Sequence, residues 1–217
     1  MITLLQIDAS PRQFSPEPQP HQSVSRRIAH HFVSEIKKST NFNKLIVRDL
    51  AVNPPPFIDI GWISESFSDE KKNDQISSLA ISDELIAEVE AADIIVISSP
   101  MYNYGMPAVL KAWFDQVIRV NKTFSFDSEK EPPIEPILSG KIVILCTSSG
   151  EYNFGKGQNQ AHKNHLGAHI EQLSPYLGAD HFHEIASEYQ EFKDERHAQS
   201  LENAINKAKA LAHQYAK

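Results

Sequence analysis

The chain has 217 residues, a formal net charge of −7, 41% hydrophobic residues and a single cysteine. The acidic balance excludes the basic footprint of a protein that binds nucleic acid or an anionic membrane surface, and the lone cysteine excludes an intrachain disulfide. No segment approaches the roughly 20 apolar residues of a membrane span, and the start has no basic region followed by an apolar run. We therefore expect a cytoplasmic protein with one domain over residues 1–217 and a small-molecule partner.

Short apolar runs predict five strands along the chain. The third, Asp93–Ile97, has four consecutive β-branched residues, a pattern typical of a strand buried on both faces of a parallel sheet. The fifth alternates apolar and polar residues and is expected at a sheet edge. The predicted strands are Ile2–Ile7, a second with its core at Leu45–Val47, Asp93–Ile97, Lys141–Cys146 and His181–Ile185.

Apolar residues at helical spacing predict helices between and after the strands, and Pro107 suits a first helical position. This alternation predicts an α/β fold, a doubly wound five-stranded parallel sheet in the flavodoxin-like order 2-1-3-4-5 with helices on both faces. The charged, Pro-containing residues 128–135 are interpreted as an exposed loop. The predicted helices are about Ser25–Lys37, Ile81–Ala91, Pro107–Val120, Ala161–Tyr176 and Glu195–Ala216.

The loop between the third strand and the next helix is the most informative part of the chain. It holds Met101, Tyr102, Asn103 and Tyr104, at the carboxyl end of a strand, where open α/β sheets bind ligands. A simple connection needs a turn residue and a cap, not two tyrosines around an asparagine. The alternative, that Pro, Asn and Gly merely shape a turn, stays open.

These residues resemble the flavin-contacting loop of the FMN-dependent NADH:quinone oxidoreductases, also called FMN-dependent NADH-azoreductases. The similarity rests on Pro100, Met101–Tyr104, Leu110–Lys111 and Phe114–Asp115, and a second similar segment is Leu79–Ala87. The resemblance implies a flavodoxin-like oxidoreductase with FMN bound and NADH as electron donor. It further implies a quinone or an azo compound as acceptor in a ping-pong cycle, and a homodimer with each FMN near the subunit boundary.

Serines after the first predicted strand form a second candidate region. Ser10 follows that strand, and Ser23, Val24 and Ser25 open the first helix, where hydroxyls and free N–H groups can hold a phosphate. On local sequence alone, an N-cap at Ser23 and a turn at Ser10 are favoured instead. The resemblance places the FMN phosphate on these residues, although the segment Arg12–Gln22 is longer than is usual in that family.

A polar loop follows the fourth predicted strand. The resemblance places Ser148, Ser149, Gly150 and Glu151 against the pyrimidine side of the isoalloxazine ring, with the rings of Tyr102 and Tyr104 and the side chain of Met101 bordering the stacking site. Ser149 and Glu151 stand where an arginine and a glycine are common in the family. Glu151 faces either the flavin or the solvent, and the whole loop could be an ordinary polar turn.

Other chemistries have weaker support. His162, His165 and His169 lie at helical spacing but have no acidic or cysteine partner beside them, so we predict no metal site. Since flavin carries the chemistry in the resembling family, no side chain is expected to act as a catalytic acid or base. Two other classes remain: an electron-transfer flavodoxin without a substrate of its own, and a receiver-type signalling domain. The latter lacks the aspartate that should end the third strand.

Overall fold

The computed structural model describes residues 1–17, 19–68 and 77–216. Five strands form one parallel sheet in the order β2-β1-β3-β6-β7, and a separate antiparallel hairpin pairs β4 with β5. Counted within the main sheet, this confirms the predicted order 2-1-3-4-5. The strands are β1 (Ile2–Asp8), β2 (Phe42–Asp49), β3 (Ile94–Pro100), β4 (Phe124–Phe126), β5 (Ile134–Pro136), β6 (Lys141–Ser148) and β7 (Ala179–Ser187).

Helices cover both faces of the main sheet, as predicted. The core on one face contains side chains of α1 and α6, and the core on the other contains side chains of α3, α4 and α5. The helices are α1 (Val24–Ile36), α2 (Ile60–Ser66), α3 (Ala80–Ala91), α4 (Ala108–Val117), α5 (Gly167–Leu173) and α6 (Glu195–Tyr215).

Strand β3 lies at the centre of the sheet and supplies both cores. Ile95 and Ile97 pack into the core on the α3 side, while Ile94 and Val96 pack into the core on the α1 side. None of the four is more than 2% exposed. Because β3 is hydrogen-bonded to β1 on one edge and to β6 on the other, its β-branched run is buried as predicted.

The structure corrects three helix and loop predictions. Residues 161–176 do not form one helix: 3-10 turns at Ala161–Lys163 and Ser174–Leu177 flank α5, which begins where the Asn164 side chain caps the Gly167 N–H at 2.8 Å. Pro175 lies in the first part of the second 3-10 turn. Helix α4 ends at Val117, with Pro107 as its N-cap. Strand β5 takes up the end of the loop predicted at 128–135, and α2 and β4 are additional elements.

Gly178 marks the tight entry into the edge strand β7. Its backbone is left-handed, with φ of +87°, and a Cβ there would lie 2.9 Å from Leu138 Cβ and 3.0 Å from Ser139 N. Gly140 is also left-handed, with φ of +81°, but a Cβ at that position would meet nothing within 4 Å. A side chain at either glycine would strain the backbone, but only a side chain at Gly178 would also crowd its neighbours.

We expect Gly178→Ala to lower the free energy of unfolding by about 2–4 kcal/mol, because a left-handed alanine costs about 1–2 kcal/mol and overpacking adds to it. Gly140→Ala is the matched control and should lose only the backbone part. Urea unfolding of both variants measures the difference. Equal losses of unfolding free energy in the two variants would contradict the steric crowding that we assign to Gly178.

Candidate active site

Loops that follow neighbouring strands meet at the carboxyl edge of the sheet. The Ala9 N–H donates to Ser98 O at 2.9 Å, which ties the end of β1 to β3. The Met101 N–H donates to Ser148 O at 2.8 Å, which ties the loop after β3 to the end of β6. The three predicted site regions, after β1, β3 and β6, therefore share one edge of the sheet.

The loop after β3 is a tight turn with two exposed aromatic rings. Tyr102 and Gly105 exchange both backbone hydrogen bonds at 3.0 Å, and the central residues Asn103 and Tyr104 have φ of 50° and 66°. Asparagine tolerates this left-handed conformation, whereas an aromatic residue rarely adopts it. The His165 N–H holds Tyr104 by donating to its carbonyl at 3.0 Å. Tyr102 and Tyr104 remain 44% and 39% exposed.

A cavity of about 260 Å³ opens between this turn and the loop after β6. Six of its lining residues are predicted site residues, while Tyr102 and Ser148 lie just outside the lining. Within this lining, the Phe154 ring lies edge-on to the Tyr104 ring, with the ring centroids 6.2 Å apart. The lining consists of Met101, Asn103, Tyr104, Ser149, Gly150, Glu151, Phe154 and Glu191.

Glu151 bridges the two walls of the cavity. Its side chain is exposed, and its Oε1 accepts a hydrogen bond from the Tyr104 hydroxyl at 3.0 Å. This hydrogen bond to a carboxylate raises the pKa of Tyr104. The Glu151 carboxylate is therefore held at the cavity, on the side where the turn after β3 lies.

The loop after β7 supports the loop after β6, and sequence reasoning missed it. The Ser149 N–H donates to Ser187 O at 3.0 Å, and the Tyr189 N–H donates to Glu151 O at 3.0 Å. A Cβ on Gly150 would lie 2.7 Å from Glu191 Cγ, so a larger residue there would displace the Glu191 side chain. The position of this loop, after the strand next to β6, was the signal that could have located it.

The three serines of the second region are buried around the start of α1. Ser10, Ser23 and Ser25 are at most 4% exposed. Ser23 Oγ accepts from the Arg26 N–H at 3.3 Å and lies 3.2 Å from Ser25 Oγ, while Ser10 Oγ accepts from the Arg12 N–H at 3.2 Å. The N-cap and turn roles are confirmed, and the hydroxyl proton of Ser10 and one proton of the Ser23–Ser25 pair can still be donated elsewhere. Val24 is half-buried beside them, against the core on the α1 side.

Arg26, which sequence reasoning also missed, connects these serines to two strands. Its guanidinium donates to both carboxylate oxygens of Asp49 at 2.7 and 2.8 Å and to the carbonyl of Ser10, and its Nη1 lies 3.5 Å from Asp8 Oδ2. The Ser23 N–H donates to Gln13 O at 2.9 Å and closes the base of the long segment after β1. Arg26 therefore fixes the end of β2, the loop after β1 and the start of α1 together.

The two carboxyl groups beside Arg26 are shifted in opposite directions. Burial raises the pKa of Asp8 above its ordinary value of 3.8, against the lowering effect of the Ser98 hydroxyl and of Arg26. Burial also acts to raise the pKa of Asp49, but the hydrogen bonds and charge of Arg26 outweigh it, so that pKa lies below 3.8. Asp49 is the carboxylate that holds Arg26 at neutral pH.

The histidines considered as metal ligands are not on one helix. His162 lies in the first 3-10 turn, His165 in the following loop and His169 in α5. Among residues 1–17, 19–68 and 77–216, no group of three or more His, Cys, Asp or Glu side chains could hold a metal ion. In the same part of the chain, no helix has the length and apolar character needed to cross a membrane.

Comparison with known proteins places the chain among flavodoxin-like proteins. A family model described as having the flavodoxin-like fold matches residues 3–212. The FMN-dependent NADH:quinone oxidoreductase 2 of Colwellia psychrerythraea is 52% identical over 217 residues, covering 99% of each chain. The enzyme of the same name from Idiomarina loihiensis is 52% identical and covers 98% of this chain and 90% of its own.

A solved structure has the same fold at low sequence identity. The FMN-dependent NADH-azoreductase of Bacillus anthracis in complex with FMN superposes with a TM-score of 0.83 over all of both chains, at 20% identity. The fold and the loops at its carboxyl edge define a flavodoxin-like α/β protein with an open ligand site. The chain belongs to the family of the FMN-dependent NADH:quinone oxidoreductases, which confirms the resemblance found in the sequence.

The opposite pKa shifts of Asp8 and Asp49 predict a pH-dependent effect of Asp8→Asn. A carboxyl whose folded pKa is raised stabilises the protein at low pH, and this contribution is lost as pH rises through the folded pKa. The free energy of unfolding of the wild type relative to Asp8→Asn should therefore increase as pH falls from the raised pKa towards 3.8. Urea unfolding across that window measures it. A relative stability that falls with decreasing pH would contradict the assignment.

Proposed function

We propose that this chain is an FMN-dependent oxidoreductase that passes electrons from NADH to quinones, cleaves aromatic azo compounds reductively, and works as a cytoplasmic homodimer by a ping-pong mechanism. The observation that carries the proposal is the placement of the serine-rich start of α1 and the aromatic turn after β3 at one sheet edge. The relatives that share half of its residues are named for the NADH:quinone reaction. FMN is the cofactor of this proposed enzyme.

The serine region fits the phosphate end of FMN. Three buried hydroxyls surround the first turn of α1, a helix of 13 residues whose N-terminal N–H groups carry partial positive charge. No G-x-G-x-x-G loop for a pyrophosphate follows β1, which favours a monophosphate over FAD. Ser10, Ser23, Val24 and Ser25 would hold the phosphate between them.

The cavity between the other two loops fits the ring end. Met101, Tyr102 and Tyr104 offer apolar and aromatic surface to a flat ligand, and Asn103 offers a backbone N–H and an amide. Ser149 and Gly150 add backbone groups to the lining of the same cavity. Flavins need both kinds of contact, since their rings are flat and one edge is polar.

Bound FMN would supply the redox chemistry, taking a hydride from NADH and giving two electrons to the acceptor. The protein contributes position, electrostatics and exclusion of water. Phe154, which is 5% exposed, lines the cavity and belongs to the segment Tyr152–Pro175 that we expect to help close the pocket. No side-chain acid or base is assigned to the hydride step.

Exposed apolar side chains support the proposed homodimer. Phe57, Ile60 and Phe67, in and beside α2, are 77%, 78% and 71% exposed, and Ile58 and Ile63 lie in the same segment at 39% and 42%. Exposed apolar side chains grouped in one short segment are a feature of surfaces that another chain covers. A second copy seated there would bury these side chains and remove them from solvent.

The proposal is tested by flavin content and steady-state kinetics. We expect the purified or reconstituted protein to hold one FMN per chain and no FAD, because the serine region fits a monophosphate. NADH oxidation with several fixed quinone concentrations should give parallel double-reciprocal lines, because one ring face serves donor and acceptor in turn. Stoichiometric FAD or an absence of flavin affinity would overturn the cofactor assignment, and intersecting lines would overturn the mechanism.

Asn103→Ala is expected to weaken FMN binding by about 1–3 kcal/mol, because ring groups buried on binding would lose a partner. Asn121→Ala is the matched control, since Asn121 is also an exposed asparagine with a left-handed backbone, at φ of 60° against 50° for Asn103. Fluorescence titration of both apoproteins measures the affinity. Equal FMN affinities in the two variants would move the ring contact away from Asn103.

Glu151→Gln is expected to raise the midpoint potential of bound FMN and to speed its reduction by NADH. The negative carboxylate opposes the charge that the flavin gains on reduction, and the amide keeps the size and polarity of the side chain. Glu202→Gln, on the exposed face of α6, removes the same charge outside the cavity lining and should leave the potential unchanged. Identical midpoint potentials of bound FMN in both variants at low ionic strength would show that solvent screens the charge of Glu151 from the flavin.

A further inference from the structure

Four of the five N–H groups of the Arg26 guanidinium donate a hydrogen bond, and the fifth has no acceptor within the described residues. The side chain lies in α1 and is buried, with the residue 5% exposed. Nη1 donates to Asp49 and to Gln13 Oε1 at 3.0 Å, while Nη2 donates to Asp49 and to the Ser10 carbonyl. The fifth donor, the Nε–H, is buried and has no partner within the described part of the chain. Buried donors normally have partners, so this one needs an explanation.

The planar guanidinium fixes the direction in which that free donor points. Nη1 and Nη2 together face the two oxygens of Asp49, so the remaining Nη2–H lies on the same edge as the Nε–H. That edge faces Ser10, because Nη2 also donates to the Ser10 carbonyl. The free donor therefore points towards the loop that carries the first of the three serines.

We infer that Arg26 is a positioning residue that sets the preference of this site for a flavin with a phosphate over one without. It does so by anchoring the Ser10 loop to β2 and to α1, and by leaving one N–H for the phosphate region. The inference rests on the proposed function, since it assumes that FMN binds here. Arg26 itself contributes little net charge, because Asp8 and Asp49 lie against it.

A lysine at this position would keep the charge but lose the geometry. One ammonium nitrogen presents its donors from a single point and cannot hold both oxygens of Asp49 while also reaching the Ser10 carbonyl. The Ser10 loop would then be free to move away from the start of α1. We expect the variant to lose binding affinity at the phosphate and to keep its contacts with the ring. Arg26 does not line the cavity between the loops after β3 and β6.

The test compares FMN with riboflavin, which has the same ring but no phosphate. Dissociation constants are measured by flavin fluorescence on full-length apoprotein for the wild type, Arg26→Lys and Arg27→Lys. Arg27 is the matched control, since it is the next residue of α1 and is exposed. We expect Arg26→Lys to lower the ratio of riboflavin to FMN dissociation constants at least tenfold, with riboflavin affinity within about twofold of the wild type.

Each outcome separates the inference from the proposed function. A wild type without FMN affinity overturns the proposed function. A wild type that prefers FMN, with an unchanged ratio in Arg26→Lys or an equal loss of both flavins, overturns the inference alone. If Arg26→Lys does not unfold cooperatively, Asp49→Asn takes its place, because it weakens the anchor of the guanidinium. Asp49→Asn should lower the ratio of riboflavin to FMN dissociation constants at least threefold. An unchanged ratio in that variant overturns the inference.

Discussion

The central constraint in this molecule is the burial of β3 on both faces between two parallel neighbours. Its apolar side chains supply both cores, and its edges bond to β1 and β6. Since all three strands run in the same direction, the loops that follow them must emerge at one edge of the sheet. A ligand site built from residues far apart in the chain is a direct consequence of this arrangement.

Backbone hydrogen bonds and charged contacts hold the loops at that edge. Met101 bonds to Ser148, the turn after β3 bonds to His165, and the loop after β7 bonds to the loop after β6. At the other end of the edge, Arg26 and its two aspartates connect the serines to β2. These contacts position polar groups and exposed rings before any ligand binds, which lowers the conformational entropy that the loops lose on binding.

The sequence predicted those parts of the fold that depend on local patterns. Strand β3 was predicted within one residue at its start but continues three residues past the predicted end, and α6 was predicted within one residue at both ends. The prediction of a single helix over 161–176 was wrong, because residues 164–166 separate the first 3-10 turn from α5 and a second 3-10 turn containing Pro175 follows it. The hydrogen bond from the Gly167 N–H to the Asn164 side chain is visible only in three dimensions. Helix α2 was missed, since its seven residues are too few for a periodic signal.

The candidate site was predictable where one loop carries its own signature and unpredictable where distant residues cooperate. Met101 to Tyr104 stand out within one loop. Arg26 resembles any polar helical residue until Asp49, 23 positions away, is found against it. The twelve predicted site residues stay predictions, although the structure brings six of them to one cavity and the serines to the start of α1.

A crystal structure of the protein with FMN bound tests the central claim most directly. The account predicts the phosphate among Ser10 and Ser23–Ser25, and the ring between the turn after β3 and the loop after β6. A larger cavity of about 530 Å³ shares Met101, Ser149 and Phe154 with this site and extends along the edge strand β7 to Glu184, Asn203 and Lys207. A ring bound beside Glu184, Asn203 and Lys207, with the three serines free of phosphate, would contradict the account.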